Sequence, residues 1–283
     1  MRYKTETRPY IMMVSGLASL NFLQLLFLLV GAYGSGVNAR EMTELAAHSA
    51  SHKDQMNHSL KIFFTMNELK AGKFFPTSLP MNDPSTSPPL LPREEADLIP
   101  FSSQELPQIL DYFSFSHDST QAKAIEDAVK RCETNPIKGE TKFCATSLQS
   151  MFDFVRSIFG LEMDFQVLST THLTKSIATY QNYTILKVPK EIYSPKMVAC
   201  HTVPYPYAIF YCHSQETETK IFSVPLGAED GDRVEAVAAC HMDTSHWSPD
   251  HISFRMLGIK PGSSHVCHLF ATDNLVFVPK STH

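Results

Sequence analysis

Beyond its first ten residues the chain has no dense run of lysine or arginine, and its formal net charge is −5. Phosphate backbones are held by clustered positive charge, so nucleic acid is not an expected partner. Glycine is scarce, 11 in 283 residues, and no glycine-rich loop is placed to cradle a nucleotide phosphate. No G-x-S-x-G elbow occurs either. The stretch HMDTSH, from His241 to His246, brings His, Asp and Ser together in sequence. A hydrolase triad is assembled from neighbours in space, so serine-hydrolase chemistry is not expected here. No internal repeat runs along the chain, and tryptophan occurs once, at Trp247.

An uninterrupted bilayer-length apolar run is also missing. Residues 11–33 are long enough to span, but Ser15, Gly16, Ser19, Asn21 and Gln24 break them up, and the dense part, LLFLLVGAY, is confined to Leu25–Tyr33. That is about half of the ~20 residues that a span requires. MRYKTETRPY precedes the run with three basic residues against one acid, and GSGVNA follows it with small residues placed for cleavage after Ala39. This is the layout of a secretory signal peptide over residues 1–39, with a membrane anchor as the alternative and no membrane association expected after cleavage. All six cysteines lie beyond Ala39, and an even count in an exported chain favours disulfides. Two glycosylation sequons, at Asn57 and Asn182, fit the same route.

Residues 40–60 form a short polar leader. His48 and His52 lie four apart in it, at a spacing that suits a metal on a helix, but the composition is that of a solvated segment. Residues 61–75 are apolar at both ends and read as a domain edge. Residues 76–100 contain seven prolines and read as an extended surface segment. Two helices are expected next. One carries Ala122, Ile125, Val129 and Cys132 at helical spacing behind a Ser119/Thr120 cap. The other carries Leu148, Met151, Phe152, Val155 and Phe159 and stops at Gly160. Cys132 and Cys144 stand at the facing ends of these helices, where a disulfide would clamp a helical hairpin; two free thiols are the alternative. Beyond Gly160 come short segments rich in β-branched and aromatic residues, separated by turn residues. The fold class expected is α+β, with a helical N-terminal half and an antiparallel β-rich C-terminal half, sandwich or barrel.

That second half carries Cys200-His201, Cys212-His213, Cys240-His241 and Cys267-His268. Random placement of six cysteines and thirteen histidines would give roughly a quarter of one such dipeptide. Side chains of neighbouring strand residues point to opposite faces. The cysteines can therefore turn into a core and pair, while the histidines face the other way around one or two shared sites. Three readings stay open. In the first, the cysteines form disulfides and the histidines bind a redox metal, since imidazole without thiolate suits Cu(II). Cys and His together could bind structural zinc, against which an even Cys count and an export signal argue. Or the disulfides alone matter and the histidines fill space. His251 and His265 lie close enough in sequence to add ligands.

The spacing CH-x10-CH-x26-CH-x25-CH resembles the signature of the plant BURP-domain family. FFTMNELKAGK, IPFSSQELPQIL, IKGETKFCATSLQSMFDF, YPYAIFYCH, VEAVAACHMDTSHW and PGSSHVCH are similar to family blocks and occur in family order. The resemblance spans residues 61–280. It implies export to the cell wall or a storage vacuole and a role in seed or reproductive development or in stress. Some members are copper-dependent peptide cyclases that join a Tyr or Trp side chain of a peptide to another residue with oxygen as oxidant. The resemblance thus makes His201, His213, His241 and His268 copper-ligand candidates, with His251 weaker. Between Gly34 and Leu60 stands neither Tyr nor Trp, so no core peptide is evident in cis. Two expectations follow: an exported, copper-binding protein without catalysis, in contact with a cell-wall component, or a stand-alone cyclase acting on a separate Tyr/Trp-containing peptide.

Overall fold

The computed structural model describes residues 62–176, 178 and 180–280. The expected signal peptide, the polar leader and the Asn57 sequon lie outside the described residues. Thirteen strands and five α-helices follow one another in the order β1 (Phe63–Phe64), β2 (Phe74–Thr77), α1 (Arg93–Ala96), α2 (Leu106–Tyr112), α3 (Thr120–Glu133), β3 (Glu140–Ala145), α4 (Leu148–Phe159), β4 (Phe165–Leu168), β5 (Thr171–His172), β6 (Gln181–Ile185), β7 (Lys190–Ile192), β8 (Val198–Val203), β9 (Ile209–Gln215), β10 (Thr219–Ala228), β11 (Arg233–His241), α5 (Ile252–Leu257), β12 (Val266–Leu269) and β13 (Leu275–Pro279). No helix among the described residues is long and apolar enough to cross a membrane.

Every strand pairing is antiparallel. One sheet has five strands in the order β3-β9-β8-β13-β4. The other has eight, β1-β12-β11-β10-β6-β2 with β5 on β11 and β7 on β10, and forms a half-barrel. The expected helical N-terminal half is therefore corrected. The apolar pairs Phe63-Phe64 and Phe74-Phe75 are too short to bury a helical face, and both join the half-barrel as strands, β1 beside β12 and β2 beside β6.

The two expected helices do form. Ser119 caps α3 by accepting from Ala122 N–H at 3.0 Å, and Ser147 and Ser150 close a reciprocal cap at the start of α4. Gly160 ends α4 with φ at 105°, a conformation that suits a residue without Cβ. The buried face of α4 is Met151, Phe154, Val155 and Phe159, whereas Leu148 is exposed. Between the helices lies a strand and not a turn. Lys142 and Cys144 alternate with Phe143 and Ala145 on β3, so the Cys132–Cys144 disulfide ties α3 to the edge of a sheet and not to α4.

Three apolar layers result. α4 covers the five-stranded sheet over Val198, Cys200, Phe210, Cys212 and Phe277. The concave side of the half-barrel encloses Phe64, Phe75, Tyr183, Ile185, Val224, Ala236, Ala238, Cys240 and Cys267. Between the sheets lie Ala199 of β8, Val237 and Ala239 of β11, Val276 and Val278 of β13, and Phe270. Each fully buried large side chain contributes about 1.5–3 kcal/mol. Asp232, in the turn after β10, fastens the half-barrel by accepting from Tyr183 Oη and Thr174 Oγ1, at 2.9 and 2.8 Å, with His172 Nδ1 3.0 Å away.

Alternation assigns every residue of β11 to a layer. Val234, Ala236, Ala238 and Cys240 face the half-barrel interior, while Val237, Ala239 and His241 face the other sheet. On β8, Val198 and Cys200 face α4, while Ala199 and His201 face the half-barrel. Replacing Cys240 and Cys267 together by Ala is expected to lower stability by about 2–5 kcal/mol. Urea unfolding measures this; an unchanged midpoint would mean that the bridge adds nothing to the packed sheet.

Candidate metal centre

The four Cys-His pairs build one local design twice. In the five-stranded sheet, Cys200 stands directly opposite Cys212 across β8 and β9 and is bonded to it, with Cα atoms 3.9 Å apart. In the half-barrel, Cys240 stands opposite Cys267 across β11 and β12 and is bonded to it, with Cα atoms 4.0 Å apart. No free cysteine remains. The residue after each bonded cysteine points away from the bridge. His201 and His213 therefore share the opposite face of one sheet as a diagonal pair, and His241 and His268 share that of the other.

The two faces meet. The His201 and His213 ring centres are 5.4 Å apart, with their Nε2 atoms separated by 3.4 Å. His241 and His268 stack at 5.6 Å, and His268 and His201 approach across the sheets to 6.1 Å. Phe270 closes the inner side, 5.3 Å from His201 and 4.9 Å from His268. Trp247 closes the other end against His241 at 4.9 Å, and Tyr211 flanks His213 at 5.4 Å. A shallow depression lined by Lys138, Gln215, Asp243, His246 and Trp247 opens outside His241.

Each ring is also held from behind. Gln215 Oε1 lies 3.0 Å from His241 Nδ1, and Thr219 Oγ1 3.3 Å from the same atom. The Leu269 carbonyl oxygen lies 3.3 Å from His268 Nδ1. Glu140 Oε1 is 3.3 Å from His213 Nδ1, an ion-pair distance without hydrogen-bond alignment. Asn274 Nδ2 lies 3.2 Å from His201 Nδ1. Burial, then the crowd of neighbouring imidazoles, holds His201 and His241 well below the usual histidine range. Burial brings His268 down to about 4. Burial pushes Glu140 up, but the His213 ring, the Ile137 N–H and Tyr211 outweigh it and keep it below the ordinary carboxylate value. His201, His241 and His268 are thus neutral imidazoles, and Glu140 beside the cluster is an ionised carboxylate.

With every thiolate consumed, the imidazoles are not the donor set of a Cys-rich zinc site; imidazole suits Zn, Cu, Fe and Ni. Ring spacing suits a shared ion: imidazoles bonded at ~2 Å to one metal have their centres roughly 4.5–6.4 Å apart. The donor nitrogens are not aimed at one point, however, and among the described residues no three His, Cys, Asp or Glu side chains are gathered to hold an ion without ring rotation. His251 stands apart from the four, stacked on Trp247 at 4.7 Å, with Nδ1 accepting from Ser253 N–H at the start of α5. His265 is outside the cluster, on the loop before β12. Asn182 is exposed on β6, opposite Pro76.

Several neighbours were absent from the sequence reading. Gln215 and Phe270 each lie two residues past a cluster histidine, so strand alternation alone points to them. Glu140 and Asn274 come from other strands, β3 and the turn before β13, and carry no local signal.

A family model described as the BURP domain matches residues 62–279. The chain is 44% identical over 227 residues to BURP domain protein USPL1 of Arabidopsis thaliana, covering 78% of this chain and 81% of that protein. It is also 44% identical over 227 residues to BURP domain-containing protein BNM2A of Brassica napus, covering 78% and 80%. Protein RAFTIN 1B of Triticum aestivum is 36% identical over 217 residues, 76% of this chain and 59% of that protein.

The depressed His268 sets a pH dependence. An unfolded histidine titrates near 6.5 and the folded ring near 4. Above about pH 6.5 neither state is protonated and this group has no effect. Below it the unfolded chain takes up a proton that the folded one refuses, so stability falls until the folded ring protonates near pH 4. His268 alone is expected to remove up to about 2 kcal/mol between pH 6.5 and 5, and His201 and His241 act in the same direction. Urea unfolding of the metal-free protein at the two pH values, with His268→Gln as a shallower control, measures it. Equal stability at both would contradict a neutral cluster.

Proposed function

The chain belongs to the BURP-domain family, and on that premise we propose that it is an exported copper-binding protein of the plant cell wall or storage vacuole, serving seed or reproductive development or stress response. The observation that carries this reading is the meeting of His201, His213, His241 and His268 from two facing sheets, with the four partner cysteines spent in disulfides. Three disulfides support export, because they persist only in an oxidising compartment. The histidine cluster would hold the ion. Bound there, copper supplies one-electron chemistry and access to oxygen. The protein contributes neutral donors, a hydrophobic wall in Phe270 and Trp247, and outer partners that orient the rings.

A second reading, peptide cyclisation in trans, is favoured by the depression outside His241. Gln215 and Trp247 line it and also touch that ring, so a peptide side chain seated there would approach the cluster. A Tyr or Trp side chain would be joined to another residue, two hydrogens leaving to molecular oxygen.

Metal analysis of the disulfide-intact protein after copper loading and desalting tests the first reading. Stoichiometric copper is expected in the wild type and little in His241→Ala/His268→Ala, whose secretion should be near normal. No copper in the wild type would overturn it. Oxygen uptake with a two-hydrogen mass loss in a Tyr- or Trp-containing peptide would establish the second reading; copper-loaded protein that leaves all such peptides unchanged would remove it.

A further inference from the structure

The groups behind the four rings are not alike. Gln215 Oε1, the Leu269 carbonyl and Glu140 Oε1 are acceptors, so the Nδ1 atoms of His241, His268 and His213 face groups that want a proton from them. A neutral ring with its proton on Nδ1 has its lone pair on Nε2, free for a metal. His201 is turned the other way. The group at its Nδ1 is the Asn274 amide nitrogen, a donor. The orientation of that amide is set independently, because its Oδ1 accepts from Thr202 N–H at 3.2 Å. Turning the amide over would place two donors against each other there. His201 Nδ1 must therefore accept, and its proton sits on Nε2, directed at His213 Nε2 3.4 Å away.

We propose that Asn274 locks His201 in the Nε2–H form, which makes His201 a hydrogen-bond donor to His213 and not an equivalent fourth ligand. Resting on the copper reading, this divides the cluster into His241 and His268, whose Nε2 lone pairs are free, His213, whose Nε2 accepts from His201 and must exchange that bond for the ion, and His201, which orients a neighbour. Asn274 is a positioning residue that acts through His201. The same rule sets His251 aside, since its Nδ1 accepts from Ser253 N–H and its Nε2 carries the proton.

Long-range 15N–1H NMR of the metal-free protein decides the lock, because the two neutral tautomers give distinct nitrogen shifts. The wild type should show Nε2–H at His201 and Nδ1–H at His241 and His268. Asn274→Asp, which puts an acceptor at the same place, should convert His201 to Nδ1–H without moving the other rings. Nδ1–H at His201 in the wild type would overturn the proposal, and that result does not depend on whether any variant folds. Competition titration with copper reads the consequence. His201→Ala should weaken binding by about 10-fold, in the range of outer partners, and His213→Ala, His241→Ala or His268→Ala by more than about 100-fold. Equal losses at all four would restore His201 as a full ligand. Wild-type protein that takes up no copper would remove the copper reading, while the NMR spectrum would still decide the tautomer.

Discussion

The pairing of two cysteines directly opposite each other on neighbouring antiparallel strands is the constraint on which the rest depends. A bridge of that kind fixes register, and in a strand register fixes the face of every other side chain. With Cys200 bonded to Cys212 and Cys240 to Cys267, the residues that follow them have no choice of side. A one-residue slip on β8 would turn His201 into the Phe-rich layer under α4 and bring a core residue into the cluster. The bridges lie in the two outer cores, so each sheet is braced from behind while its histidines face the other sheet.

Gathering four imidazoles between two sheets works against their charge. Withdrawn from water, His201, His241 and His268 resist protonation, and the chain loses stability in acid for keeping them neutral. What offsets this is the apolar layer that they continue. Ala199 precedes His201 on the same face of β8, Ala239 precedes His241 on the same face of β11, and Phe270 belongs both to the inter-sheet core and to the wall of the cluster. Small alanines let the sheets approach beside the larger rings. The site is the polar end of a hydrophobic seam, not an insertion into it.

Partners of the rings come from unequal distances along the chain, and this bears on what each can do. Leu269 is local to His268, whereas Gln215, two residues past His213 on β9, reaches across to His241 of the other sheet. Asn274 reaches back across β8 and Glu140 across β9, so these two report how neighbouring strands are placed. Through them the protonation pattern inside the cluster is coupled to the five-stranded sheet, and Gln215 of β9 extends that coupling to His241, whereas His268 relies on its own strand.

Much of this was legible in the residues. Cys-His dipeptides on strand-like segments imply opposite faces by elementary stereochemistry, and an even cysteine count beyond an apolar leader implies bridges. Helices α3 and α4 announced themselves through Ser caps and apolar spacing, because both signals are local. The strands before α3 did not: β1 and β2 are two and four residues long, and their identity comes from distant partners, β12 and β6. For the same reason β3 hid inside an expected helical hairpin. Which cysteines pair, that the two histidine pairs face each other, and that Asn274 meets His201 were decided only in three dimensions. Each is a contact between segments whose separation in sequence carries no trace of it, and each is settled by how two sheets stack.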